Sequence, residues 1–524
     1  MMIQPSIYSR VAVFALALAV SGFVNLAAHA QDITGGASVF VATAEAEAKL
    51  GKGIFTPAPK RTHAPKAIEK KTVARSVRAA HPQRQTTTTA STTTTGSTRT
   101  TSSTGDSGSR PLESTRPLGG PARRVMGAED YDKQGDDFFD AGQYEKAAES
   151  YQQAVRMKPD YAEAYVNLSE TYFNLGRYDD AITAGKQAIQ LKADLAPAYH
   201  ALGNAYLKLD RTAEAMDALK QALSLDPNDT EARNSLSLAY YDQGVAAYNA
   251  NKYDDAVAAY QQAVTLRPDY ADAQNNLGDA YRQLNKPNEA VEAYKVAVRL
   301  KPDLVDAYSN LCLIYDKLGK YPEAAEAYRQ VVRLKPDDAE ANNNMGYALG
   351  KSKRWPEAIE AFKRAIQLKP DYAEAYSNLG WGYNNIGNFT AAVEPLRKAI
   401  QLRPELPEGH FNIGVTSFHL QKKEEALAAF QKTIELKPDW PAAQNNLGVA
   451  YGNLGKWKQA IAAHKEAVRL KPDYGGAYYN LGVDYLMSGD KKAAGQQYEK
   501  LRTLNPNNAN ILYTMIYKKP PPKT

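Results

Sequence analysis

A proline recurs at a fixed interval through the second half of the chain. Earlier, Pro159 and Pro227 lie two intervals apart with Ala193 at the intermediate mark, and Pro268 follows Pro227 after 41 residues. A fixed interval of this kind indicates one supersecondary unit copied along the chain, and the marks define eleven copies. Seven prolines each follow the previous one by 34 residues: Pro302, Pro336, Pro370, Pro404, Pro438, Pro472 and Pro506.

Each copy carries the pattern of two short amphipathic helices. With Ala373 as position 1, positions 4, 7, 8 and 11 are Tyr376, Leu379, Gly380 and Tyr383. These four positions share one side of a helix. A second helix follows a turn at Gly387, and the proline of the next interval ends it. Small residues at positions 8, 20 and 27 allow the two helices to approach closely, so each copy is predicted to be a helical hairpin.

These motifs resemble the tetratricopeptide repeat, a 34-residue helix-turn-helix unit, over residues 128–506. One such unit cannot bury both of its faces, so neighbouring units must stack. The resemblance implies an all-α fold, a right-handed superhelical solenoid of about eleven hairpins whose first helices line the inner surface. Residues 507–524 are expected to form a capping helix and a short tail.

The longer interval between Pro227 and Pro268 places seven extra residues in a first helix, at about residues 230–250. Seven residues form about two helical turns and rotate the apolar face by only ~20°. We therefore expect an elongated first helix there, not a bulging loop.

Residues 1–30 have the three parts of a secretory signal peptide. Arg10 precedes an apolar run over residues 11–20, and Ala28-His-Ala30 provides a small-residue cleavage site. An uncleaved membrane anchor is the alternative, but the apolar run is short and polar residues soon interrupt it. We expect export to the periplasm or the cell exterior, with no membrane span after cleavage.

Residues 31–127 differ in composition from the repeats. Sixteen of the nineteen residues from 86 to 104 are serine or threonine, and residues 1–127 carry 16 Lys and Arg against 6 Asp and Glu. Such a segment buries too little apolar surface to offset its ordering entropy, so we expect a disordered linker. A plain spacer is the preferred interpretation. Weak contact of its positive charge with an anionic envelope surface, or sugars on its threonines, are the alternatives.

No motif in the sequence indicates catalysis, a metal or a cofactor. The seven histidines are scattered, and there is no His-Glu-x-x-His, no paired-cysteine motif and no glycine loop for phosphates. Cys312, the one cysteine, stands at position 8, where small residues pack, which favours a structural role. Residues 128–524 carry 48 Lys and Arg against 52 Asp and Glu, which does not indicate a nucleic-acid-binding face. We expect no enzyme and no nucleic-acid partner.

Asparagine recurs at position 6 of eight copies. Position 6 projects roughly opposite to positions 4, 7, 8 and 11, together with positions 2, 9 and 13, so these side chains are expected outside the core between helices. Asparagine is a mediocre helix former, so propensity does not explain its recurrence. Its amide can hold a peptide group by paired hydrogen bonds whatever the ligand's sequence. This asparagine ladder consists of Asn167, Asn276, Asn310, Asn344, Asn378, Asn412, Asn446 and Asn480.

Neighbouring positions add to the ladder. Position 5 carries a second amide in three copies, Asn275, Asn343 and Asn445, and Tyr347 and Trp381 stand at position 9, one turn beyond the asparagine. An exposed aromatic residue there would be a natural anchor for a partner. The alternatives are asparagines that only brace adjoining helices and aromatic residues that pack between successive first helices.

At position 6 the array is similar to the repeat superhelix of O-linked N-acetylglucosamine transferase, whose inner surface bears an asparagine ladder that grips extended polypeptide. The catalytic part of that enzyme does not fit in residues 507–524, so we expect no transfer activity here. We predict an exported, non-enzymatic scaffold that binds extended peptide or protein segments in its concave groove. The alternative is a structural assembly or secretion adaptor of the cell envelope that acts through the outer face or the array ends.

Overall fold

The computed structural model describes residues 126–518. The predicted signal peptide and nearly all of the predicted linker lie outside these residues. The described chain forms two compact units, residues 126–300 and residues 301–518. Each unit is built of α-helices joined by short turns, which confirms the all-α prediction for this part of the chain.

The first unit contains ten helices that pair as five hairpins. In each hairpin a first helix of 13 residues is followed by a second helix of 14 residues, except that α7 is longer. The helices are α1 Ala128–Asp140, α2 Tyr144–Met157, α3 Ala162–Asn174, α4 Tyr178–Leu191, α5 Ala196–Lys208, α6 Thr212–Leu225, α7 Thr230–Asn249, α8 Tyr253–Leu266, α9 Ala271–Gln283 and α10 Pro287–Leu300.

The second unit contains six hairpins and a final single helix. Its hairpins have the same lengths of 13 and 14 residues. The helices are α11 Val305–Lys317, α12 Tyr321–Leu334, α13 Ala339–Lys351, α14 Trp355–Leu368, α15 Ala373–Asn385, α16 Phe389–Leu402, α17 Pro407–His419, α18 Lys423–Leu436, α19 Pro441–Asn453, α20 Trp457–Leu470, α21 Gly475–Met487, α22 Lys491–Leu504 and α23 Pro506–Tyr517.

The two helices of a hairpin meet where position 24 of the second helix packs on position 8 of the first. A Cβ atom added at Gly278 would come within 2.5 Å of the ring of Tyr294, and one added at Gly135 would come within 2.5 Å of Tyr151. Glycine therefore lets a large side chain lie directly on the helix backbone. Position 20 is alanine in all eleven hairpins, and each of these alanines is fully buried. The structure confirms the prediction that small residues allow the two helices of a hairpin to approach closely.

A residue in the left-handed backbone conformation closes the turn within each hairpin. Position 15 has a positive φ in all eleven hairpins and is glycine in six of them. The other five place Asp210, Asn251, Asn285, Lys353 or Gln421 there. A positive φ costs energy for every residue except glycine. The packing of the two helices therefore imposes a positive φ at position 15, even where the residue there disfavours it.

Helix α7 has 20 residues, seven more than the other first helices. Its first turns bury Ala232 and Leu236 in a cluster with Leu219 of α6. Its later part places Gly244 under the ring of Tyr260 in α8. Since seven residues complete about two turns, the apolar positions stay on the packed side of the helix. The added length extends the stacked surface without a loop.

The final helix α23 packs on the last hairpin of the second unit. Ala509, Leu512 and Ile516 are buried in a cluster with Leu501 and Tyr498 of α22. Within residues 126–518, no helix is both long enough and apolar enough to cross a membrane.

Candidate functional site

The first helices carry a face opposite to the hairpin core. At about 100° per residue, positions 2, 5, 6, 9 and 13 fall on one side of a helix, and positions 4, 7, 8 and 11 fall on the other. We call the former the first-helix face. In the second unit it is repeated on α11, α13, α15, α17, α19 and α21.

Most of the asparagine ladder on this face is buried. The prediction that these side chains lie outside the packed interior was wrong for six of them, and only Asn167 and Asn480 are partly exposed. Successive first helices lie side by side, so the position 6 amide is covered by the neighbouring repeat. A helical wheel of a single repeat omits this contact. The six buried members are Asn276, Asn310, Asn344, Asn378, Asn412 and Asn446.

The ladder forms hydrogen bonds between repeats in a constant register. In five copies the position 6 amide donates from Nδ2 to the position 5 side chain of the preceding repeat, 35 residues earlier. These bonds brace successive first helices, as one of the two sequence interpretations expected. The pairs are Asn167 to Asp132 Oδ1 at 3.1 Å, Asn276 to Tyr241 Oη at 3.0 Å, Asn378 to Asn343 Oδ1 at 2.9 Å, Asn412 to Ser377 Oγ at 3.4 Å and Asn480 to Asn445 Oδ1 at 3.0 Å.

The second amides at position 5 belong to the same network. Asn275, Asn343 and Asn445 each donate to the ladder asparagine that follows in the same helix, at 3.3 to 3.4 Å. Asn343 and Asn445 also accept the bond from the next repeat. The position 5 amides thus link their own helix to the first helix of the next repeat. Ligand binding by these amides stays a prediction.

Tyr347 and Trp381 are buried, with 5% and 4% of their surface exposed, so the expectation of exposed anchors was wrong. Their rings stack at 6.0 Å between centroids, and Trp355 meets Trp381 edge-on at 4.7 Å. Gly350 makes room for this cluster, because an added Cβ atom would come within 2.8 Å of both tryptophans. Large rings on adjacent first helices reach one another across the repeat interface and exclude solvent.

The aromatic pair belongs to an apolar row that the sequence analysis missed. Position 9 is apolar in all six hairpins of the second unit. In the first unit the same position holds Asp136, Glu170, Asn204 and Asp279, with Val245 in α7 as the exception. Comparing position 9 across repeats, not only in two of them, would have found the row. Its members are Leu313, Tyr347, Trp381, Val415, Val449 and Val483, and all except the two aromatic residues are partly exposed.

Acidic residues follow the position 2 edge of the same face. Glu340, Glu374 and Glu408 stand there in three successive repeats. Burial raises the pKa of the Glu340 and Glu408 carboxyl groups. Glu374 forms an ion pair with Arg403, with Oε1 and Nη1 2.7 Å apart. The edge therefore offers partly desolvated carboxyl groups beside the apolar row.

Two features of the described residues bear on metal binding and on the reactivity of the thiol. Residues 126–518 contain no group of three or more His, Cys, Asp or Glu side chains placed to hold a metal ion. Cys312 is buried, and burial followed by the charge of Asp316 raises the pKa of its thiol. A thiol held in its protonated form is a poor nucleophile. The arrangement offers hydrogen-bonding amides, apolar side chains and carboxyl groups.

Repeat-family models match most of the array. The model described as tetratricopeptide repeat matches residues 133–197, 241–304 and 313–373, and a second repeat model matches residues 203–244. Three further tetratricopeptide repeat models match one repeat each, over 373–406, 407–440 and 441–474. No curated protein sequence matches the chain.

Several solved structures resemble the chain at low scores. A chain of the APC/C hetero-tetramer Cut9-Hcn1 has 16% identity over 75% of this chain and 97% of its own, with a TM-score of 0.41. Yeast Tom70 has 18% identity over 75% and 96%, with a TM-score of 0.36, and MamA has 26% identity over 33% and 93%, with a TM-score of 0.29. The repeat models, which together cover more than half of the chain, carry the assignment. The chain belongs to the tetratricopeptide repeat family, whose members serve as scaffolds for protein interactions.

Proposed function

We propose that the chain is a non-catalytic scaffold that binds extended polypeptide along the first-helix face of residues 301–518. The observation that carries the proposal is the apolar row at position 9. Six consecutive repeats place one apolar side chain each at the same point of this face. Because the row offers one apolar contact in each repeat, it suits an extended ligand that spans several repeats.

Three kinds of group on this face match the three parts of such a ligand. Apolar ligand side chains would contact the partly exposed Leu313, Val415 and Val449, and basic side chains would meet the carboxyl groups at position 2. The ligand backbone would meet the partly exposed ladder amide of Asn480. Because many small contacts share the binding energy, affinity would grow with the number of repeats engaged.

Two buried polar atoms on α15 support a ligand near Trp381. Among the described residues, Asn378 Oδ1 and Trp381 Nε1 have no hydrogen-bond partner. One atom accepts and the other donates, and the two residues are three apart on one helix face. Buried polar groups are usually paired, by protein, by water or by a ligand. A peptide group offers both complementary functions.

The test uses a displayed library of random peptides and the full chain as bait. Val415→Glu with Val449→Glu puts charges into the partly exposed part of the row, and we expect the recovery of retained peptides to fall by about tenfold or more. Ile386→Glu is the matched control, because Ile386 is an exposed apolar residue outside the first-helix face. Equal recovery by the double variant and the native chain, with circular dichroism showing both folded, would refute the proposal.

We also propose that the protein acts after export, in the periplasm or outside the cell. The pattern of residues 1–30 supports this location, and the basic segment before residue 128 would contribute a weak contact with an anionic envelope surface. N-terminal sequencing of the protein isolated from its native cells should begin at Gln31. An intact N-terminus on protein recovered from the cytoplasm would contradict the proposal.

A further inference from the structure

The long helix α7 leaves part of one side uncovered. Counted back from its turn, Ala246 stands at position 10 and is exposed, whereas position 10 is buried in every other described first helix except α1. In the cluster that joins α6 to α7, the members from α7 end at Tyr240. The seven added residues therefore carry Ala246 beyond the preceding hairpin. The buried residues at position 10 are Thr171, Ala205, Ala280, Ile314, Ala348, Gly382, Thr416, Ala450 and Asp484.

A cavity of about 540 Å³ lies at this uncovered side, between α7 and α8. Positions 11 and 14 are Ala247 and Ala250 here, where the following hairpin has Tyr281 and Leu284. The smaller side chains leave room for the side chains of a bound segment. We call this cavity the alanine groove, because it is lined by Ala246, Ala247, Ala250, Ala258 and Ala259.

The alanine groove lies in a strongly acidic unit. Residues 126–300 carry 17 Lys and Arg against 28 Asp and Glu, a net charge of −11. Asp254 and Asp255 stand in the first turn of α8 and are both exposed, and Asp255 lines the groove. A net charge of this size attracts a cationic chain and raises its concentration near the surface. The charge therefore favours a basic occupant.

The chain itself carries a basic segment ahead of the array. Residues 60–84 contain eight Lys and Arg against one Glu, and they include Ile68, Val73 and Val77. This segment ends 43 residues before α1, and a chain of that length with random-coil statistics spans about 35 Å. Helix α7 begins the fourth hairpin, roughly 30 Å from α1 at about 10 Å for each packed layer. Covalent attachment therefore places the segment within reach, at an effective concentration on the order of millimolar.

We propose that residues 60–84 dock on the alanine groove of their own chain. Their valine and isoleucine side chains would lie over the alanines, and their Lys and Arg side chains would face the carboxylates of the first unit. Docking covers a side of α7 that the other internal first helices bury by packing. The groove and the peptide-binding face belong to different units, so either proposal can fail without the other.

Thiol labelling of the full chain tests the docking. Ala246→Cys places an accessible thiol in the groove, and the native Cys312 is buried and reacts slowly. We expect reversal of four charges in the basic segment to raise the rate of maleimide labelling at this thiol about fivefold or more, because repulsion empties the groove. High salt should raise the rate of the native segment in the same direction. The charge-reversed segment carries Lys66→Glu, Lys70→Glu, Lys71→Glu and Arg75→Glu.

Two controls are matched to this test. Met157→Cys provides a thiol at an exposed site of the first unit outside the groove, and it should react at the same rate with either segment. Four reversals outside residues 60–84 should leave labelling of Ala246→Cys unchanged: Arg110→Glu, Arg116→Glu, Arg123→Glu and Arg124→Glu.

Two results overturn the proposal. One is an equal labelling rate of Ala246→Cys with the native and the charge-reversed segment, when circular dichroism shows both proteins folded. The other is protection that grows with protein concentration, because the segment would then come from another copy of the chain.

Discussion

Asn378 shows how a single side chain in this protein depends on the repeat next to it. Its Nδ2 donates to Asn343 Oδ1 at 2.9 Å, and the side chain is almost completely buried. The Asn378 amide therefore contributes to the contact between two repeats, whether or not it also binds a ligand. Similarly, His464 reaches Asp484 of the next repeat, with Nδ1 and Oδ2 2.6 Å apart and both side chains buried.

A double-mutant cycle on Asn343 and Asn378 measures this bracing. Each single change to alanine leaves a buried amide without its partner and should lower the free energy of unfolding by about 1 kcal/mol. The double variant should lose less than the sum, with a coupling energy of about 0.5–1.5 kcal/mol from urea denaturation. The pair Asn343→Ala with Asn480→Ala, four repeats apart, should be additive. A coupling energy of zero for the first pair would show that the ladder does not brace the array.

A second prediction at this scale concerns Asp316. Burial raises the pKa of its carboxyl group to about 7, although the hydroxyl of Tyr328 donates to it at 2.8 Å. The folded state therefore holds this proton more tightly than the unfolded state. The free energy of unfolding should fall as pH rises from about 4 to about 7 and should then be level, as far as this group contributes.

Asp316→Asn should remove that decline and stabilise the protein at pH 8 by about 4 kcal/mol, because the neutral amide is not penalised by burial. Thermal melts at pH 5 and pH 8 provide the measurement. Asp371→Asn, which removes an exposed carboxylate in the loop before α15, is the control and should change little. An unchanged pH dependence in Asp316→Asn would mean that Asp316 is ionised in the folded state at no cost.

At the scale of the helical hairpin, geometry overrides local preference. The contact between positions 8 and 24 fixes how the two helices meet, and the turn must then adopt a positive φ at position 15. Gln421 has a φ of 62° in the turn between α17 and α18, although a side chain disfavours that conformation. Five hairpins tolerate this cost because the helices on both sides hold the turn.

Gln421→Gly should therefore stabilise the protein by about 0.5–1 kcal/mol, the left-handed penalty less the greater freedom of glycine in the unfolded chain. The reverse exchange, Gly387→Gln at the same position of the preceding hairpin, should destabilise it by a similar amount. The urea midpoint of each variant gives the comparison. Equal midpoints for both exchanges would show that the turn is not under strain.

At the scale of the whole molecule, one hairpin design is used for two surfaces of different chemistry. Apart from the longer α7, the hairpins of both compact units have the same helix lengths and the same buried alanine at position 20. Position 9 is largely polar or acidic in residues 126–300 and apolar in residues 301–518. Position 9 lies away from the hairpin core, and at Tyr347 and Trp381 it packs between successive first helices. The hairpin core is common to both units, and the first-helix face differs between them.

The repeat period and the hairpin follow from the sequence alone. Prolines 34 residues apart, small residues at positions 8 and 20 and the apolar residues at 4, 7 and 11 all concern contacts within one repeat, which a helical wheel represents correctly. The predicted helical array was accordingly confirmed. The burial of Asn378, Tyr347 and Trp381 was not predictable from a helical wheel of one repeat.

Only the tertiary structure decided how the first helices of successive repeats lie against one another. That packing buried most of the asparagine ladder and closed the aromatic rings of Tyr347 and Trp381 over each other. The physical reason is that the period of a sequence reports which side of a helix faces its partner within the hairpin. It does not report how far a side chain reaches toward the neighbouring repeat, because the position of that repeat depends on the packing of the two repeats together.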